Sequence, residues 1–223
     1  MKERKTNRMK GYDYSTDNLY FVTICVHNRI NYFGEIPVGT GRDLSNNMNG
    51  LSNYNDIVFN KTNDQAIIVV LNEYGKIAEQ QWYWLAKQYP YIILHSFVVM
   101  PNHIHGIIEI NRGNVGTGRD LSHNIDDISI GTGGNISSRT GRDLSLPKIK
   151  SLSELMGAYK TTVSKQIHLL ENNDMVQPVN KFAWQRSFHD HIIRNNESYQ
   201  KIYNYIINNP QKWVEDKFYN NGK

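Results

Sequence analysis

The chain has 223 residues, 39% of them hydrophobic and 21% charged, which is the balance of a soluble globular protein and excludes a disordered or fibrous one. Its formal net charge of +4 favours polyanionic partners but does not single one out. No stretch approaches the roughly 18 consecutive apolar residues of a membrane-spanning helix, and the opening MKERKTNRMK lacks the apolar run of a signal peptide, so a cytoplasmic protein with no membrane partner is expected.

The single cysteine, Cys25, can close no internal disulfide and build no cysteine-rich zinc cluster, so any metal must sit on His, Asn, Gln or carboxylates. At the start of the chain Lys2, Arg4, Lys5, Arg8 and Lys10 face only Glu3. Such a cluster is either a basic arm for a polyanion or a solvated chain end.

The aromatic and β-branched run LYFVTICV at 19–26 predicts a buried strand. Over 72–88 the residues Ile77, Trp82, Leu85 and Ala86 recur near helical spacing, and Pro90 closes the segment, which predicts a helix. IILHSFVVM at 92–100 and HIHGIIEI at 103–110 predict two antiparallel strands around a tight Pro101-Asn102 turn. A second helix is expected over about 152–170, capped by Ser151 or Ser153 and carrying Leu155, Met156, Val163 and Ile167. A third is expected over about 197–208, where Pro210 stops it.

Two stretches rich in Gly, Asn, Ser and Asp, 38–62 and 111–147, read as loop insertions. They share a heptapeptide: GTGRDLS at 39–45 and at 116–122, and RTGRDLS at 139–145. Unequal spacing excludes a solenoid, whose repeats stack at a fixed period. GTGRDLS can be encoded by GGG ACA GGT CGC GAC CTG TCC, which with one further C equals its own reverse complement. The peptide is therefore either a translated palindromic DNA repeat tolerated in surface loops or a duplicated peptide with no nucleic-acid meaning.

Residues two apart on a strand share a face, so His103 and His105 project together while Ile104 faces the core. Two such imidazoles are half of a metal site, or simply solvent-facing histidines. On the third helix Tyr205 and Asn209 are four residues apart and share a face. A phenol and an amide oxygen so placed could approach one metal-bound phosphate; equally, Tyr205 could pack by its ring and Asn209 cap the helix.

Three blocks, GYDYSTDNLYFVTICVHNRINYFGEI, HSFVVMPNHIHGIIEI and WQRSFHDHIIRNNESYQKIYNYIINNPQKW, resemble in this order the REP-associated tyrosine transposases, single-tyrosine members of the HUH endonuclease superfamily. The blocks span most of the chain outside the two insertions. The resemblance implies an α+β fold: one domain over 1–223 with a ferredoxin-like antiparallel sheet, helices on one face (the HUH endonuclease fold) and long loop insertions. It implies metal binding by His103 and His105 with Asn209 as third ligand, Tyr205 as catalytic nucleophile, and Mg²⁺ or Mn²⁺ as cofactor. Tyr159 is the rival nucleophile, but four residues on from it stands Val163, which cannot ligate.

The activity implied is a metal-dependent single-stranded DNA endonuclease and strand transferase, cutting near palindromic hairpins through a 5′-phosphotyrosine bond. Expected DNA contacts are the arm residues Lys2, Arg4, Lys5 and Arg8, together with Lys160, Lys165, Trp184, Arg186 and Arg194. Asp190 and His191 receive no catalytic role. The partner is single-stranded or hairpin DNA, and a monomer is expected, although some HUH relatives share active sites in a dimer. Two other functions stay open: a hairpin-binding protein that no longer cuts, and a metal-dependent nuclease using water.

If the heptapeptides are translated palindromes, the codons of the TGRDLS shared by all three copies will follow the self-complementary string. Sequencing the gene checks this, and codons that break the palindrome refute it.

Overall fold

The computed structural model describes residues 9–37, 69–114, 149–173 and 181–219. The insertion calls at 38–62 and 111–147 lie almost wholly outside these residues. In chain order the elements are strands β1 (Asn18–Cys25), β2 (Gly34–Glu35) and β3 (Val70–Leu71), then helix α1 (Glu73–Gln88). Strands β4 (Ile92–Met100) and β5 (His103–Ile110) follow, then α2 (Leu152–Asn173), β6 (His189–Ile193) and α3 (Asn196–Asn208), with a 3-10 segment at Pro210–Glu215. No helix among the described residues is long and apolar enough to cross a membrane.

The main sheet is antiparallel with spatial order β4-β5-β1-β6. The last strand in the chain thus lies beside the first, which is the ferredoxin-like arrangement of an α+β domain. Alternation decides what each face does. Tyr20, Val22 and Ile24 of β1 and Ile104 and Ile108 of β5 join one core with Trp82 and Leu85 of α1 and Leu155, Tyr159 and Val163 of α2. Each such side chain contributes about 1.5–3 kcal/mol by leaving water. The opposite parity, Leu19 and Phe21 of β1 with Ile107 of β5, packs against Ile202 and Ile206 of α3. Helices on one face therefore describes α1 and α2, whereas α3 lies across the other face, because its apolar stripe meets the odd-numbered strand residues.

Local chemistry sets the helix ends. The Asn72 side chain accepts from the Gly75 amide at the start of α1, and Asn195 does the same for Ser198 at the start of α3. At α2 the cap is Ser151, whose hydroxyl accepts from the Glu154 amide while the Glu154 carboxylate accepts from the Ser151 amide. The phenol of Tyr159, fully buried, donates to the Ala78 carbonyl at 2.8 Å and ties α2 to α1. Helix α3 is fastened to the sheet by His95, which bonds the Tyr199 phenol at 3.2 Å and the Glu109 carboxylate at 2.9 Å. His95 lies where the register of β4 slips between Leu94 and Phe97.

The sequence reading missed β6 and the short β2–β3 ladder. The ladder pairs Gly34 with Leu71 and Glu35 with Val70, on either side of the segment 38–68.

Gly106 sits between the Trp82 ring and Phe97, and a Cβ there would fall inside the contact distance of the indole. Gly106→Ala is expected to destabilise the fold by about 1–3 kcal/mol. Gly157→Ala, at a position on α2 with nothing within contact range, should stabilise it by about 0.5–1 kcal/mol. Urea unfolding midpoints of the two variants check both signs.

Candidate metal and nucleophile site

The Pro101-Asn102 turn brings β5 back beside β4 with Met100 opposite His103, and β5 pairs with β1 so that Cys25 faces His103 and Thr23 faces His105. Both histidines lie on the α3 side of the sheet. Of the two readings left open by the sequence, solvent-facing histidines are excluded, since His103 and His105 are 0% and 1% exposed. Phe218 covers them, its ring centroid 4.6 Å from that of His103, with Trp213 at 5.9 Å; Phe21 stacks on His105 at 5.4 Å.

The hydrogen bonds fix how His103 is protonated. The Asn102 amide donates to the carbonyls of Arg29 at 3.0 Å and Phe218 at 2.9 Å, so its oxygen faces His103 Nδ1 at 2.9 Å. That nitrogen must carry the proton, which leaves a lone pair on His103 Nε2. His105 Nδ1 bonds the Thr23 hydroxyl at 2.8 Å, and its Nε2 lies 3.0 Å from His103 Nε2. Two bare lone pairs at that distance repel, so the pair must share either a proton or a cation. Arg29 supplies its carbonyl from a left-handed backbone, φ 54, and also donates to the Lys217 carbonyl at 2.8 Å. Strain of that kind persists where surrounding contacts hold it.

Tyr205 and Asn209 end α3 over this pair. The Tyr205 phenol is 3.2 Å from His105 Nε2, its ring 5.1 Å from the imidazole, and the residue is 41% exposed, open to an incoming group. Buried Asn209 donates to Asp216 at 3.1 Å, and its side-chain oxygen has no hydrogen-bond partner among the described residues. His103, His105 and Asp216 each offer a ligand atom, all within 4.8 Å of one another. Asp216 was not singled out in the sequence; it returns to the site only because the 3-10 segment after Pro210 folds back, and no motif spacing records that. Two imidazole nitrogens, a carboxylate and an orphaned amide oxygen are a donor set that fits a divalent cation such as Mn²⁺ or Mg²⁺.

Electrostatics agree with neutral ligands. Burial lowers the pKa of His103 to about 3, helped by the Lys217 and Arg29 charges, and burial with the neighbouring His103 carries His105 well below its ordinary value. Burial and the Asp216 carboxylate raise the Tyr205 phenol, opposed by a hydrogen bond from Asn209. Cys25 is raised to about 11 by burial and offers no thiolate. Tyr159 is sealed inside the core and cannot reach a substrate.

Of the expected DNA contacts, Lys160, Lys165, Trp184 and Arg186 line one groove, and Arg194 lines another. Lys2, Arg4, Lys5 and Arg8 lie outside the described residues. Lys160 and Trp184 are half-buried in the groove wall: the Lys160 ammonium, its pKa lowered by burial to about 8, donates to the carbonyls of Gln185 and Ser187, and the Trp184 indole donates to the Lys160 carbonyl. Lys165 and Arg186 are exposed in a groove between α2 and the chain at 184–186. Arg194, also exposed, lies beyond Ile193, which pairs with Leu19 at the end of β1 remote from Thr23.

No family model matches the chain. It is 29% identical over 223 residues to an uncharacterized protein of Haemophilus influenzae, an alignment spanning 97% of this chain and 93% of that protein. Among solved structures it is similar to a REP-associated tyrosine transposase bound to a REP hairpin, at 16% identity and a TM-score of 0.43, over 95% of this chain and 74% of that one.

Because the fold holds His103 and His105 neutral while the unfolded chain protonates them near pH 6.5, the unfolded state binds more protons below that value. The stability they confer is complete above pH 6.5 and is lost as the pH falls toward about 3. Without metal, the unfolding free energy should fall by up to about 1.4 kcal/mol per pH unit for each histidine in that window. The slope should be shallower in His103→Gln, and denaturant unfolding from pH 7 to pH 4 measures both.

Proposed function

We propose that this chain is a transposase of the REP-associated tyrosine type: a metal-dependent enzyme that cuts single-stranded DNA beside palindromic hairpins and transfers the strand through Tyr205. The observation that carries the reading is the half-exposed Tyr205 phenol, 3.2 Å from a buried, neutral histidine pair that Asp216 and Asn209 complete. The resemblance of the three sequence blocks supports it independently.

A divalent cation held by His103 and His105, with Asn209 and Asp216 as oxygen donors, would supply Lewis-acid polarisation of the scissile phosphate. The chain's own residues do the rest. Asn102 holds His103 in a fixed tautomer, and Thr23 holds the orientation of His105, as partners behind metal ligands do. Phe21, edge-on to the Tyr205 ring at 6.0 Å, holds the phenol beside His105. The Tyr205 oxygen attacks phosphorus, and its proton leaves to the solvent that reaches this side chain. The bond from phosphorus to the 3′-oxygen breaks, that oxygen takes up a proton, and the 5′ end stays on tyrosine. Phosphodiester energy is conserved in the new ester, so a 3′-hydroxyl can reverse the step or join another strand.

Exposed Lys165, Arg186 and Arg194 are the candidate phosphate contacts among the described residues.

The test is incubation with a single-stranded hairpin oligonucleotide carrying the palindrome, labelled at both ends, with Mn²⁺ or Mg²⁺. A metal-dependent covalent adduct is expected, unchanged in Lys87→Ala, at the exposed end of α1, and lost in Tyr205→Phe. Removal of the metal by chelation should abolish cutting, and Asp216→Asn should lower it by at least tenfold. Binding without any adduct would make the chain a hairpin-binding protein, and cutting that survives Tyr205→Phe would make water the nucleophile.

A further inference from the structure

Strand β6 puts a second histidine pair beside the first. In the register of the sheet Thr23 of β1 faces His105 on one side and His189 of β6 on the other, and Phe21 likewise faces Ile107 and His191. Paired residues of neighbouring antiparallel strands share a face, so His189 and His191 stand on the same side of the sheet as His103, His105 and Tyr205. Ile193, two residues further on, packs under α3 with Ile107 and Ile206, which verifies the parity independently. Asp190 and Ile192 take the opposite face, where Ile192 joins the α1 and α2 core.

The two pairs differ in exposure. His103 and His105 are buried, whereas His189 and His191 are exposed on an edge strand that nothing pairs on its outer side among the described residues. Helix α3 bounds the site toward β4, since Tyr199 is bonded to His95 and Ile206 packs on Val98. The Phe218 segment closes it beyond His103. The open approach to the Tyr205 phenol is therefore across β1 and β6. Two strand spacings separate the His105 and His189 backbones, about 10 Å.

We infer that the exposed face of β6 is the bed on which the single strand lies as it reaches Tyr205, with His189 and His191 hydrogen-bonded to its backbone phosphates. This rests on the function proposed above and assigns the binding surface beside that site. Residues i and i+2 of a strand stand roughly 6.7 Å apart, a spacing comparable to that of successive phosphates in an extended single strand. Phe21, between the two histidine pairs, adds an aromatic surface on which a base can stack. The chain just before β6 carries exposed Arg186, which continues the track toward the groove on α2.

The test measures binding by fluorescence anisotropy in the Tyr205→Phe background with Mn²⁺, so that no covalent product forms. The probes are a hairpin with a single-stranded extension and the same hairpin without it. Joint replacement of His189 and His191 by Ala should weaken binding of the extended probe at least tenfold and leave the bare hairpin within twofold. Lys87→Ala, at the exposed end of α1 on the other face of the sheet, should change neither. Joint replacement by Glu, which repels phosphate, should weaken the extended probe further, and it serves should the Ala pair lower the melting temperature. With Tyr205 intact, the Ala pair should slow adduct formation at low DNA concentration and recover at saturation, which a folding defect would not do. An unchanged affinity for the extended probe in both double variants overturns the inference while leaving the Tyr205 adduct standing. No binding and no adduct by the parent chain overturns the inference together with the proposed function.

Discussion

One side-chain amide holds this site together. Asn102 is fully buried at the β4–β5 turn, and three of its hydrogen-bonding positions are used: the amide nitrogen on the carbonyls of Arg29 and Phe218, the oxygen on His103 Nδ1. An unmet buried polar group costs about 1–3 kcal/mol, so the three bonds hold or fail as a set. That couples events at distant points of the sequence. The left-handed turn at Asn28 and Arg29, the return of the chain after Pro210 and the tautomer of His103 are all conditions on one amide. The turn itself is buried for the same reason: Val26 and Phe33 donate their amides to its two carbonyls.

The sheet then divides the labour between its faces. Even-numbered residues of β1 and β5 meet α1 and α2 and contribute apolar burial, while odd-numbered ones carry the histidines, Thr23, Phe21 and Cys25. A slip of one residue in either pairing would bury the histidines among leucines and send Ile104 to the metal side. Trp82 guards against that slip from below. Its indole occupies the space left by the missing side chain of Gly106, directly between His105 and Ile107, so only the correct register admits the ring. A packing contact on one side of the sheet thus fixes the position of a ligand on the other.

The strongly periodic elements were legible from the residues alone, because a long apolar run or a helical stripe next to Pro90, Pro101 or Pro210 leaves few alternatives. Strands β4 and β5 and helices α1 and α3 fall at or within a residue of their expected bounds, and α2 runs on to Asn173 beyond the expected end. Strand β6 escaped because HDHII is short, half polar and on an edge, with an apolar signal confined to Ile192 and Ile193. For Lys160 and Trp184 residue type suggests a function but not the local bonding, and only the fold shows both hydrogen-bonded to backbone carbonyls in the wall of the groove that Lys165 and Arg186 share. Asp216 was invisible for a third reason. Its place depends on a kinked 3-10 segment and on Phe218 docking beneath Asn102, and neither has a local sequence signature.

The residues that flank 38–68 and 115–148 are themselves anchored by the fold. Around 38–68 the chain leaves and returns through the β2–β3 ladder, with Gly34 opposite Leu71 and Asn72 donating to the Phe33 and Tyr32 carbonyls. Around 115–148 both flanks are tied to one residue: Asn111 donates to the Tyr91 carbonyl and Lys150 to the Tyr91 phenol. Once the two ends of a loop are held by the fold, lengthening it costs only the slowly growing entropy of closure, about 0.6 kcal/mol for each doubling. Neither pair of anchors shares a hydrogen bond with His103, His105, Tyr205 or Asp216. Sequence can therefore accumulate between these anchors, repeated heptapeptides included, without changing the register that brings a phenol to a histidine pair.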